Sequence, residues 1–183
     1  MIHWPRSSVP LIAAMMNLAG LSGTMNFLLV GWKAASAMAT RGSVFVDTSG
    51  WAYLVDRNAE LHHPVHAIYQ QVVVQRRLLV TTNYIIAELV ALLTSRSRIP
   101  RQQIVLFIDA LKTTPYIEVI HIDLDLDAAS WTLLKAHADK EWSLVDASSF
   151  VIMSKHGMTE ALTTDHHFTQ AGFVRLPARD SIK

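Results

Sequence analysis

The chain has no cysteine among its 183 residues. That excludes disulfides, thiolate zinc sites and any cysteine nucleophile. The absence fits a reducing cytoplasm. There is also no excess of charge: lysine plus arginine and aspartate plus glutamate nearly cancel, leaving +1. A global basic field that would advertise nucleic acid is therefore missing, and any such contact needs a local patch. Repeats and low-complexity tracts are absent. Only 17% of residues are charged and 51% are apolar, which excludes a disordered chain and suits a domain with a real core.

Charge is also absent locally. Between Val9 and Gly31 no side chain is ionised, with Arg6 before the stretch and Lys33 after it. Such a run resembles a membrane or export segment. Asn17, Gly20, Ser22 and Asn26 interrupt it. Met38 opens M-A-T-R-G-S-V-F-V-D, which reads as an ordinary start leading into a first strand. A start there would remove Arg6 and Lys33 and turn the net charge to −1. Residues 1–42 are therefore expected to be a non-conforming extension, either a mis-called start or a disordered segment. A membrane segment and a structured extra element are the alternatives. Residues 43–183 form the expected domain.

From Ser43 onward, short apolar runs alternate with amphipathic stretches. Val44–Asp47, Leu78–Val80, Ile117–Ile122 and Ala161–Thr164 read as strands, with Phe173–Arg175 as a fifth. Thr48 and Ser49 offer helix-capping hydroxyls, as do Thr81, Thr82 and Asn83. His63-Pro64 and Pro100 open helices, Tyr84–Thr94 forms another, and Gly157 stops the helix from Leu144. A helix beginning at Asp123, Asp125 and Asp127 is expected to end near Lys140. The alternation predicts an α/β fold, a mostly parallel central sheet with helices on both faces. Ligands in such folds sit beyond the carboxyl ends of the strands.

Asp47 and Asp165 follow the first and fourth strands and would emerge at one edge. Asp146 lies in the first turn of its helix, and Glu88 lies beside an apolar helix face. Four carboxylates at one edge repel each other unless cations are present. Mg²⁺ and Mn²⁺ prefer oxygen ligands. Such an ion activates water and stabilises both oxygens of an in-line phosphoryl displacement. Taken singly, Asp47 and Asp146 also fit plain helix caps, and Asp165 a turn residue.

The segments F-V-D-T-S-G-W, T-N-Y-I-I-A-E-L, W-S-L-V-D-A-S-S-F and L-T-T-D-H-H-F-T-Q-A-G-F occur in this order. Together they resemble the PIN-domain family from about Val44 to Arg175. Within it, the chain is most similar to the VapC-like ribonuclease toxins. The resemblance implies a PIN-like three-layer α/β/α fold and an acidic cluster binding Mg²⁺ or Mn²⁺. Asp47, Glu88, Asp146 and Asp165 map in turn to its four acidic positions. It further implies endoribonuclease activity on RNA, a homodimer, and inhibition by a cognate antitoxin whose segment covers the site. The extension departs from the family pattern, which favours Met38 as the start.

Asp47 and Asp146 are the expected direct ligands, with Glu88 and Asp165 completing the set, in part through water. Thr48 or Ser49 is expected to bond the Asp47 carboxylate or a phosphate, with simple capping as the alternative. Arg96, Arg98 and Arg101, or Arg76 and Arg77, are candidate RNA contacts. Trp51, Trp131 and Trp142 suit base stacking, though packing explains them more simply. His166 and His167 are expected at the surface or in a cap, with proton transfer as the alternative. His62, His63 and His66 have zinc-compatible spacing but lack the glutamate of a metalloprotease.

A haloacid-dehalogenase-like phosphatase would need an aspartate where Ser49 stands. A response-regulator receiver would need paired acids before the first strand's end and a late lysine. The non-enzyme rival is an inactive PIN-like module that binds RNA or a partner.

Overall fold

The structure, a computed structural model, describes residues 42–95 and 99–177. The expected extension, residues 1–42, lies outside this range except for Gly42, as do Arg96 and Arg98.

The chain runs β1 (Val44–Val46), α1 (Thr48–Val55), α2 (His62–Val74), β2 (Leu79–Thr82), α3 (Asn83–Ser95) and α4 (Arg101–Thr113). It continues through β3 (Ile117–Ile120), α5 (Leu124–Ala136), α6 (Leu144–Lys155), β4 (Glu160–Leu162), α7 (His167–Gln170) and β5 (Val174–Leu176). Successive strand residues point to opposite faces of a sheet. Val44, Phe45 and Val46 are nevertheless all 0% exposed, so β1 is covered on both sides. That is the signature of a parallel sheet sandwiched between helices.

The five strands are parallel, in the order β3-β2-β1-β4-β5. Phe45 aligns with Val80 on one side and Ala161 on the other. The chain first winds outward from β1 through β2 to β3, then restarts on the other side of β1 with β4. The winding reverses between β1 and β4. In open α/β sheets, that reversal leaves a crevice beyond the strand ends where ligands bind. Asp47 follows β1 and the Thr163–Asp165 loop follows β4, so both border it.

Several boundaries differ from the sequence expectation. Thr81 and Thr82 belong to β2, paired with Val119 and Ile120. Their β-branched side chains suit a strand. Thr82 still caps α3, because its hydroxyl accepts from the Ile85 N–H at 3.1 Å. Strand β4 ends at Leu162, before Thr163 and Thr164, whose polar groups turn toward Asp47 and Ser49. Strand β5 begins one residue late, at Val174. Helix α5 stops at Ala136 rather than near Lys140, with His137 as its C-cap.

Gly50 sets how closely α1 approaches β4. A Cβ there would lie 2.3 Å from the Leu162 carbonyl oxygen and 3.2 Å from Val46 Cγ1. Only glycine permits that approach. The N-terminal turn of α1, which carries the site, is thereby pressed onto the end of β4.

Candidate metal centre

Asp47 is itself the N-cap of α1, with extended backbone (ψ 169°) and its carbonyl accepting from Trp51 N–H at 3.1 Å. Thr48 and Ser49 therefore lie inside the helix rather than capping it. Their hydroxyls turn to carboxylates. Ser49 Oγ donates to Asp47 Oδ2 at 2.9 Å, and Thr48 Oγ1 donates to Glu88 Oε2. Thr163 Oγ1 donates to the same Asp47 oxygen at 2.8 Å. Each hydroxyl has one hydrogen. With Asp47 ionised, both are committed to it, and the 3.1 Å between Ser49 Oγ and Thr163 Oγ1 is a close approach without a proton to share.

Asp47 is 7% exposed. Burial raises its pKa to about 6, against the lowering effect of Thr163, Ser49 and two backbone N–H groups. The protein thus holds a dry carboxylate at a cost, a pattern associated with functional sites.

Asp146 lies in the first turn of α6 and forms a capping box with Ser143. Ser143 N–H and Oγ donate to Asp146 Oδ2 at 2.7 and 2.9 Å, and Asp146 N–H donates to Ser143 Oγ at 3.0 Å. The cap role read from sequence for Asp146 therefore falls to Ser143, and Asp146 is its reciprocal partner. Asp165 stands three residues past β4. Its N–H donates to Thr163 Oγ1 at 3.0 Å, and its Oδ1 accepts from His167 N–H at 2.9 Å. Arg175 holds the loop by donating to the Thr164 carbonyl at 2.8 Å. Glu88 is exposed, with Thr48 as its partner.

His167 is not a surface residue. Its side chain is 15% exposed, and its Nδ1 lies 3.5 Å from Asp146 Oδ2 and 3.4 Å from Asp165 Oδ1. That nitrogen is buried and makes no hydrogen bond among the described residues.

Contacts therefore run from Asp47 through Thr163 to Asp165, and through His167 to Asp146. Glu88 joins through Thr48, the neighbour of Asp47. Among the described residues, none of the four carboxylates is paired with lysine or arginine. A buried anion, neighbouring acids without a basic partner and an orphaned imidazole nitrogen fit a hard or borderline divalent cation.

The other candidates separate. Arg101 is exposed at the start of α4. Arg77 is committed to Glu160 and the Gly42 carbonyl, whereas Arg76 is exposed with φ +55°. Trp51 is fully buried, donating to Thr81 at 3.2 Å, and Trp142 is 8% exposed. Of the three tryptophans considered for stacking, only Trp131 is open, at 48%. His62 is held by its Nδ1 on the Tyr53 carbonyl at 2.8 Å. Among the described residues, no helix is long and apolar enough to cross a membrane.

Sequence reading missed Thr163, Ser143 and the burial of His167. The serine three residues before Asp146 was a legible capping-box signal. Nothing local marked Thr163, because its importance comes from β4 lying beside β1.

Known proteins resemble this chain in sequence and fold. A family described as the PIN domain matches residues 44–174. The 23S rRNA-specific endonuclease VapC20 of Mycobacterium tuberculosis is 30% identical over 133 residues, 73% of this chain and 97% of its own length. The crystal structure of VapC20, described as a sarcin-ricin loop cleaving toxin, superposes with a TM-score of 0.63 at 31% identity. That match covers 72% of this chain and 97% of that one. FitAcB from Neisseria gonorrhoeae shares the fold alone, with a TM-score of 0.52 at 15% identity over 72% of this chain and 95% of its own.

Proposed function

This chain belongs to the PIN-domain family, and from that premise we propose that it is a divalent-metal-dependent endoribonuclease, the toxin of a toxin–antitoxin pair. The observation that carries the reading is the Asp47 carboxylate: buried, raised to about 6, fixed by Ser49 and Thr163, and next to other acids without a basic partner. A bound divalent cation would favour the ionised form of such a group.

Asp47 and Asp146 are assigned as direct ligands of Mg²⁺ or Mn²⁺, with Glu88 and Asp165 completing the set, in part through water. Bound there, the ion supplies Lewis acidity toward a phosphodiester and its attacking water. The chain's own residues do the positioning. Ser49 and Thr163 fix one Asp47 oxygen. Thr48 orients Glu88, and the Ser143 capping box fixes Asp146. Arg101 at the start of α4, with Arg96 and Arg98, is assigned to the RNA backbone.

The similarity to a 23S rRNA endonuclease makes ribosomal RNA the first substrate to test. The same reading makes the protein a homodimer silenced by a small cognate antitoxin. Purified full-length chain, incubated with 23S rRNA and Mg²⁺ or Mn²⁺, should give discrete cleavage products that disappear with EDTA. Intact RNA under all metal conditions would refute the reading and favour an RNA-binding or partner-binding module.

A further inference from the structure

The two histidines after Asp165 are adjacent in sequence, so their side chains would ordinarily diverge around a helix start. Here both imidazoles lean onto one carboxylate oxygen. His166 Nδ1 lies 3.5 Å and His167 Nδ1 3.4 Å from Asp165 Oδ1. The ligand atoms of these three residues all lie within 4.8 Å of one another. The rings are 4.4 Å apart and tilted by 46°. His167 Nδ1 is buried without a hydrogen bond, whereas the His166 side chain is 63% exposed. The group thus has a closed inner wall and an open outer one.

We propose that Asp165, His166 and His167 form a cation position of mixed nitrogen and oxygen donors at the rim of the carboxylate cluster, one that selects borderline transition ions over Mg²⁺. Donors each about 2.0–2.2 Å from one ion stand roughly 3–4 Å apart, as the two histidine nitrogens do from Asp165 Oδ1, at 3.5 and 3.4 Å. Imidazole suits Zn²⁺ and Ni²⁺, with Co²⁺ beside them in the affinity order and Mn²⁺ the weakest of the first-row ions, whereas Mg²⁺ keeps to carboxylates, phosphates and water. The orphaned Nδ1 explains itself as a ligand atom. The Asp165 turn is held by Thr163 Oγ1 on its N–H and by its own bond from His167 N–H, so the carboxylate donor is arranged before any ion arrives. The proposal uses Asp165 in common with the nuclease site. It requires metal binding and no RNA cleavage, so it stands or falls separately from the nuclease reading.

The test uses the full chain with metal alone. Pulsed EPR on Mn²⁺-loaded protein grown with ¹⁵N-histidine should show histidine nitrogen coupled to the ion. The coupling should weaken in His166→Ala and in His167→Gln, and vanish in the double variant. Calorimetry should show Co²⁺ binding at least about tenfold weaker in His166→Ala, with Mg²⁺ binding unchanged. Absence of histidine coupling, coupling that survives the double variant, or parallel loss of Co²⁺ and Mg²⁺ binding would overturn the proposal.

Discussion

Thr163 Oγ1 donates to Asp47 Oδ2 across 2.8 Å while accepting the Asp165 N–H at 3.0 Å. One hydroxyl therefore ties the end of β1 to the loop after β4, across the point where the sheet reverses its winding. It orients one acidic residue and the backbone of another.

Thr163→Val should remove that link without leaving much space. Groups that orient metal ligands are worth about 10–100-fold in metal affinity or activity. The concentration of Mg²⁺ or Mn²⁺ needed for half-maximal cleavage should rise by that order, and Thr163→Ser should restore it. A metal titration of cleavage rate checks both variants.

Asp47 makes the metal-free fold sensitive to pH. Its carboxyl titrates near 6 when folded, against an ordinary 3.8. The folded state therefore binds this proton more tightly than the unfolded chain. The resulting stability is complete below about 3.8 and is lost as pH rises through 6. The difference is on the order of 3 kcal/mol. Asp47→Asn should raise the Tm of metal-free protein at pH 7.5, with the advantage shrinking toward pH 4. Thermal melts in EDTA across that range measure it.

Gly50→Ala should be severe. The new Cβ meets a backbone carbonyl at 2.3 Å, so either α1 or β4 must move. Overpacking of this kind costs about 1–3 kcal/mol or more. A lower urea midpoint is expected, together with weaker metal binding, because the movement separates Asp47 from Thr163.

Ser143→Ala removes the N-cap hydroxyl of α6, which is one donor to Asp146 Oδ2 and the acceptor of the Asp146 N–H. The backbone N–H of residue 143 would remain, so the loss is partial. We expect about 1 kcal/mol less stability by urea denaturation, and metal affinity lowered along with it. Ser143→Asp would restore the cap while adding a competing charge, so it should recover stability but not metal affinity.

Much of this was legible from the residues, for physical reasons. The short apolar V-F-V run, ending in a polar turn, read as a buried strand, and the strand–helix alternation implied a mostly parallel sheet. Asp47 and Asp165 stood out because they follow strands, where such sheets place ligands; Glu88 and Asp146 lie on helices, and it was the family resemblance that joined them to the set. What escaped was set by tertiary neighbours. Thr163 reads as a strand residue until β4 is known to lie beside β1. Thr48, Ser49 and Asp47 all read as candidate caps; the role falls to Asp47, which leaves the two hydroxyls free to bond carboxylates. His167 reads as polar surface, yet the short helix α7 turns it inward between Asp146 and Asp165.

The central claim is that buried Asp47 serves metal-dependent RNA cleavage. The most direct measurement compares wild-type chain and Asp47→Asn on 23S rRNA with Mg²⁺ or Mn²⁺, after circular dichroism has shown that both are folded. The account predicts discrete cleavage by the wild type and loss of at least about a hundredfold in rate for the variant, since it alters a group on which the reaction's charge stabilisation depends. Equal metal-dependent cleavage by the folded variant would contradict it.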